Sequence, residues 1–167
     1  MDTGLLVARV IFGGLMAAHG AQKLFGWFGG YGLNAVGGFF ESLGFRPGRL
    51  FAAAASVSEL ASGVLVALGL LGPIGPALMV SVMIVAAFSV HWHHGVFAQS
   101  NGIEVPLLYA AFAVALALAG FGAYSLDATL GLTALWTPAI VYGALILGVV
   151  GGLANLAVRR TPVTAEA

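Results

Sequence analysis

The sequence predicts an all-α transmembrane bundle of five spans with one short interfacial helix. Three observations carry this. Hydrophobic residues make up 60% of the chain and charged residues 7%, against about 25% charged in soluble domains. Mean hydropathy is +1.04. The apolar residues fall into five runs separated by breaks rich in Gly, Pro or aromatic residues. Runs of about 20 residues match a hydrocarbon core of about 30 Å at a rise of about 1.5 Å per residue.

The first run, residues 5–24, follows Asp2 instead of a basic segment and is full length, so a retained span is expected and not a cleaved signal. Residues 25–49 are rich in Gly and aromatics, and Trp27, Phe28 and Tyr31 suit the headgroup layer. Val36, Phe39, Phe40 and Leu43 recur at i, i+3, i+4 and i+7, which predicts a short amphipathic helix with Glu41 and Ser42 on its wet side, ended by Gly44. The glycines there are not a phosphate loop, since no strand precedes them and no Gly-Lys-Ser/Thr follows.

Pro47 can open the second span in its first turn. This span, residues 50–71, is interrupted only by Ser56, Ser58, Glu59 and Ser62. Such serines in a membrane helix usually serve packing. Gly72-Pro73 and Gly75-Pro76 force a turn, and residues 77–92 form the third span. A polar loop follows, Pro106 restarts a helix, and residues 107–121 make a fourth span, short unless 103–105 join it. After a second interfacial loop, Thr137 and Pro138 read as N-cap and first residue of a fifth apolar helix. It runs to Val158 and carries Gly148 and Gly152 at GxxxG spacing. Residues 159–167 are expected to be a frayed polar tail.

Five spans sort the charges. With the N-terminus outside, Lys23, Arg46, Arg49, Arg159 and Arg160 fall on the inner side, and Asp2 and Asp127 on the outer. The six Lys and Arg balance six Asp and Glu, which gives no electrostatic footprint for nucleic acid. The absence of cysteine excludes disulfides, thiol redox chemistry, cysteine-ligated iron–sulfur clusters and c-type haem attachment within this chain.

Ionisable groups inside spans are costly and turn toward a bundle interior, a partner or water. On the first helix, Lys23 lies about 40° and His19 about 80° from Arg9, so these three, with Gln22 beside them, are expected on one bundle-facing side. Glu59 lies deep in the second span and needs a partner or a proton. Either Arg9 and Glu59 form a structural ion pair between the first two helices, or the group is functional. His91, His93 and His94, with Glu104 in the same loop, form either a hydrated interfacial cluster or a metal site, but the spacing has no specific metal signature, so none is assigned. Bis-histidine haem between His19 and His91 rests on two histidines alone.

These residues form a recognisable series: Arg9 in LLVARVIFGGL, HGAQKLFG with His19 and Lys23, Glu59 in SELASGVLVALGLL, His91 in VHWHHGVF, NGIE ending at Glu104, and GFGAYSLD ending at Asp127. The chain resembles the DoxX family of small bacterial membrane proteins over this stretch. The resemblance implies a DoxX-like four-helix core in residues 1–127, to which this chain adds an interfacial loop and fifth transmembrane helix in 128–158 and the polar tail in 159–167. It implies a multi-pass protein of the bacterial cytoplasmic membrane. Members are commonly labelled oxidoreductases because some belong to quinone-linked thiosulfate oxidation or to membrane redox complexes.

On that basis the leading expectation is a redox-associated membrane subunit with a quinone as candidate cofactor. Its site residues would be His19, Glu59 and His91 for proton transfer, and Arg9, Gln22, Lys23 and Glu104 for binding. Quinone carbonyls accept hydrogen bonds, and reduction takes up protons that histidine or glutamate can relay. The chain has no electron-carrier motif, so a redox partner protein would supply electrons, and the chain alone would not turn over. Membrane lipid and a second copy of the chain are the other expected contacts. Two rivals come from other classes: a small-molecule or proton-coupled transporter using Arg9, Glu59 and His19 as a buried relay, and a noncatalytic assembly or scaffold protein.

Overall fold

The computed structural model describes residues 1–160. The helices, in order, are α1 (Asp2–Phe25), α2 (Gly32–Ser42), α3 (Gly48–Leu68), α4 (Ile74–Ala86), α5 (Glu104–Ala119), α6 (Leu126–Thr129) and α7 (Pro138–Ala157). No strand occurs among the described residues. The α4 axis continues through a π-helical turn, Ala87–His91, and a 3₁₀ turn, Trp92–His94. Four helices are long and apolar enough to cross a membrane: α1, α3, Ile74–His94 and α7. α5 is shorter, at 16 residues, or about 24 Å. It nevertheless runs from one end of the bundle to the other. Its start lies beside the loop in which Asn101 O meets His91. The segment after its end returns to the start of α1, where Ala123 N donates to Asp2 Oδ1 over 3.0 Å.

Local chemistry accounts for the boundaries. Gly26 and Gly69 adopt left-handed conformations at the ends of α1 and α3, which only Gly does without strain. The second span therefore stops at Leu68, three residues earlier than the apolar run suggests. Pro76 and Pro106 fall within the first turns of α4 and α5, where a missing N–H costs nothing. Thr137 and Pro138 occupy the expected N-cap and first positions of α7.

Small residues set the packing. A Cβ on Gly13 would lie 2.5 Å from Ala67 N, on Gly20 2.5 Å from Leu60 N, and on Gly63 2.3 Å from Ala17 N. α1 and α3 therefore touch backbone to backbone, antiparallel and in a fixed axial register. α7 also meets α4 at the backbone, here parallel: Gly148 and Gly152, the expected GxxxG pair, face Ala77 O and Ser81 O. Met16, Val66, Met79, Met83, Tyr109 and Leu116 form the centre of the core between α1, α3, α4 and α5. α7 thus flanks a four-helix core.

The two ends differ. At one, Asp127 is buried and accepts from Leu71 N (2.9 Å), Gly72 N (2.7 Å) and Trp136 Nε1 (2.8 Å). This carboxylate clamps the α3–α4 turn, including Leu71 at φ 61°. At the other end Arg160 N donates to Gly44 O over 2.8 Å, bringing the end of α7 to the α2–α3 link. Lys23, Arg46, Arg49, Arg159 and Arg160 gather at this second end, opposite Asp2 and Asp127, as the charge pattern required. The tail expectation falls largely on 161–167, outside the described residues.

Candidate functional site

The close α1–α3 contact decides which polar groups meet. With Gly20 against Leu60 and Ser56, Lys23 in the last turn of α1 lies opposite Glu59 near the middle of α3. The Lys23 ammonium binds Oε1 of Glu59. Glu59 is 2% exposed and Lys23 33%, so the carboxylate is the buried support and the ammonium the presented group. Oε2 of Glu59 has no hydrogen-bond partner.

This pair lies at the wall of a cavity of about 680 Å³ at the basic end of the bundle. Two connections roof it. Gln22 Nε2 donates to Phe28 O over 3.1 Å, and Gly30 packs against the Gln22 backbone, so the turn after α1 folds back on that helix. α2 then lies along α3, with Gly37 against Arg49 and Gly48 against Gly37 O. The expected amphipathic stripe of α2, Val36, Phe39, Phe40 and Leu43, faces the cavity. Phe45 and Phe51 extend the aromatic wall.

α4 closes the opposite side. Its π-helical turn displaces the helical register by a residue, and Ser89 and His91 reach the cavity from it. Such turns occur often at functional sites. His91 Nδ1 lies 2.7 Å from Asn101 O. A carbonyl only accepts, so Nδ1 carries the proton, and Nε2 is the free position that can accept or, once protonated, donate. Ser89 Oγ is buried without a partner. Ser58, Ser81 and Asn155 supply further polar atoms along largely apolar walls.

Of the expected site residues, the structure brings together Gln22, Lys23, Glu59 and His91. It places Arg9, His19 and Glu104 elsewhere. The Arg9–Glu59 ion pair does not form. The helix register sets Arg9 beside Gly69, while Glu59 is ten positions back along α3, about 15 Å. Arg9 is fully buried, donates from Nη2 to Tyr124 O (2.9 Å) and stands 5.9 Å from the centre of the Phe121 ring. Its cation faces the C-terminal end of α3, where the helix dipole favours it. Nor do the three basic groups of α1 share one inward side. Gly20 is the residue against α3, and the rotation that puts it there turns His19 outward to an exposed position on the flank facing α5. His19 is outside the cavity lining, whereas His91 is on it, so the two do not face a common haem space. Glu104 Oε2 accepts from Ala98 N over 2.7 Å and closes the loop before α5. His94 Nδ1 is engaged by Val90 O at 2.9 Å. Among the described residues no three His, Asp or Glu side chains converge as metal ligands.

Sequence reasoning passed over Ser81, Ser89 and Asn155, although isolated polar residues in apolar spans were the available signal. The DoxX family model matches residues 4–92. The chain belongs to the DoxX family. This DoxX protein is a multi-pass membrane protein, and the matched segment contains α1 to α4 with Lys23, Glu59 and His91. The match stops at Trp92, short of the NGIE and Asp127 stretches. Searches of curated proteins and of solved structures return no match.

Proposed function

We propose that this DoxX protein is a redox-associated membrane subunit that holds a quinone-type, lipid-soluble molecule in the cavity beside Lys23, with electrons supplied by a partner protein. The observation that carries the reading is an ammonium held by a buried carboxylate on the wall of an otherwise aromatic and aliphatic cavity of about 680 Å³. That volume is of the size that takes small organic ligands. The pair is neutral overall, so it disfavours an anionic head such as a fatty-acid carboxylate. Lys23 still has donors to offer a carbonyl oxygen. His91 Nε2 supplies a second polar contact, and Glu59 fixes the ammonium in place. A bound quinone would supply two-electron chemistry; the chain's own residues orient its head and provide protons. Residues 1–127 would form the DoxX-like bundle proper, with 128–158 an added loop and helix. The basic end, carrying the cavity, would face the inside of a bacterial cytoplasmic membrane.

The test is binding of a tailed quinone analogue to the purified chain in lipid nanodiscs, followed by calorimetry. Losing a hydrogen bond to a charged group costs about 1.5–3 kcal/mol, so Lys23→Met should weaken affinity about tenfold or more. His91→Ala should weaken it less, and a fatty acid of equal length should bind poorly. Unchanged affinity in folded Lys23→Met, or no binding by the intact protein, would overturn the reading.

A further inference from the structure

The loop between the α4 axis and α5 touches the cavity through His91. This residue ends the π-helical turn, lines the cavity, and places Nδ1 2.7 Å from Asn101 O. Asn101 belongs to the loop 95–104, which is closed on itself by short bonds. Ile103 N donates to Gly95 O (3.0 Å), Glu104 N to Val96 O (2.8 Å) and Gly102 N to Phe97 O (2.9 Å). The two legs are pressed together so closely that a Cβ on Gly102 would lie 2.5 Å from Gly95 O. Asn101 N donates to Ala98 O over 2.9 Å, and Asn101 takes a left-handed conformation, φ 63°, that Asn tolerates better than most side chains.

Glu104, the first residue of α5, holds the other leg of this loop at two points. Its N–H goes to Val96 O, and its Oε2 accepts from Ala98 N over 2.7 Å. Ala98 in turn holds Asn101, and Asn101 holds His91, so an unbroken series of hydrogen bonds runs from the Glu104 carboxylate to the cavity wall. Glu104 has no ion-pair partner among the described residues. Its carboxylate therefore acts here as a hydrogen-bond acceptor.

The consequence falls on the tautomer of His91. The bond to Asn101 O keeps the proton on Nδ1 and leaves Nε2 an acceptor. Lys23, on the α1 side of the cavity, has donors only. A guest with two hydroxyl groups satisfies both, since one hydroxyl oxygen accepts from the ammonium and the other hydroxyl donates to Nε2. A guest with two carbonyls brings a second acceptor to Nε2.

We propose that Glu104 is a positioning residue for His91: it closes the loop 95–104, the loop holds His91 in its Nδ1–H tautomer, and the cavity thereby selects a guest bearing a hydroxyl group, the reduced form of a quinone-type molecule. The selection rests on the quinone-type reading of the cavity. The tautomer does not.

The experiment has two arms. Nitrogen-15 NMR of the histidine-labelled, ligand-free chain in nanodiscs, at about pH 8 and so above the ordinary histidine value of about 6.5, reads the tautomer. The His91 signals are assigned by their loss in His91→Gln. Wild type should show Nδ1 protonated and Nε2 bare. Glu104→Ala removes the acceptor and should release His91 into a mixture of tautomers, whereas Glu104→Gln keeps an acceptor without the charge and should retain the wild-type signals. Thermal unfolding checks that both variants fold; a Glu104 that only stabilised the fold would lower the melting temperature without moving the His91 signals. Anaerobic calorimetry then compares a tailed hydroquinone with its quinone. Wild type and Glu104→Gln should favour the hydroquinone about fivefold, the size of one hydrogen bond, and Glu104→Ala should lose that preference. A wild-type His91 protonated at Nε2, or unchanged His91 signals in folded Glu104→Ala, would overturn the lock. Equal affinities in wild type, or a preference retained in Glu104→Ala, would overturn the selection. If neither analogue binds, the quinone-type reading fails and the selection with it, while the tautomer, read without ligand, still decides the lock.

Discussion

Removal of the Lys23 ammonium isolates the energetics of the buried pair. In Lys23→Met, Glu59 keeps its buried position, with only 2% exposure, but loses its only partner. Orphaning a buried charge costs about 3–5 kcal/mol. Glu59→Gln should cost less, about 1–2 kcal/mol, since Lys23 is one-third exposed and retains water contact while Gln keeps a hydrogen-bond acceptor. The double variant carries no buried charge and should be more stable than Lys23→Met alone at pH 7. Reversible unfolding in mixed micelles at pH 7, read by the fluorescence of the 3 tryptophans, measures all four corners of the cycle. A Lys23→Met cost below about 1 kcal/mol, or a double variant worse than that single, would refute the reasoning.

Two further outcomes are expected. Asp127→Asn places an amide against three donors and should destabilise by about 2–3 kcal/mol, against about 1 kcal/mol for Trp136→Phe, which removes one of its bonds; micellar unfolding checks both, and quinone-analogue affinity should not change. Gly148→Leu should push α7 off α4, since even a Cβ there would lie 2.4 Å from Ala77 O, while Gly143→Leu, with nothing within 4 Å, should be silent; hydrogen exchange in residues 77–84 rises only in the first.

What the sequence disclosed and what it hid follow from what each signal measures. Runs of apolar residues measure length, so all five traverses and α2 were legible, and glycine spacing on α7 revealed its contact with α4. The interior placement of Glu59 followed from the cost of exposing a carboxyl to lipid. Its partner did not, because a helical wheel gives an angle and no axial offset. The offset comes from Gly13, Gly20 and Gly63, whose bare backbones select one register and so pair Glu59 with Lys23 instead of Arg9. The same small-residue contact explains His19. At about 80° from Arg9 it stood at the rim of the inferred face, and Gly20 tipped the helix so that the rim became surface. The π turn that delivers Ser89 and His91 has no composition signal, and Asp127 acts through a loop conformation that periodicity cannot reveal.

The two basic residues of α1 then divide the bundle into a locked end and an open one. Arg9 is fully buried beside Gly69, Tyr124 O and Phe121, with Nε and Nη1 unpartnered, and Asp127 spends both its oxygens on the adjacent turn. A guanidinium stays charged whatever its surroundings, so it suits a permanent tether. Lys23, 14 residues later, meets a cavity and is held by one oxygen of one carboxylate. An ammonium on a flexible stem has three donors and gives one to Glu59, so it suits an adjustable contact. The close backbone contacts of Gly13, Gly20 and Gly63 fix the axial register of α1 against α3, and that register places Arg9 beside Gly69 and Lys23 on Glu59, about 21 Å away along the helix. One line of bare backbone therefore positions both basic residues, the guanidinium at the acidic end and the ammonium at the cavity.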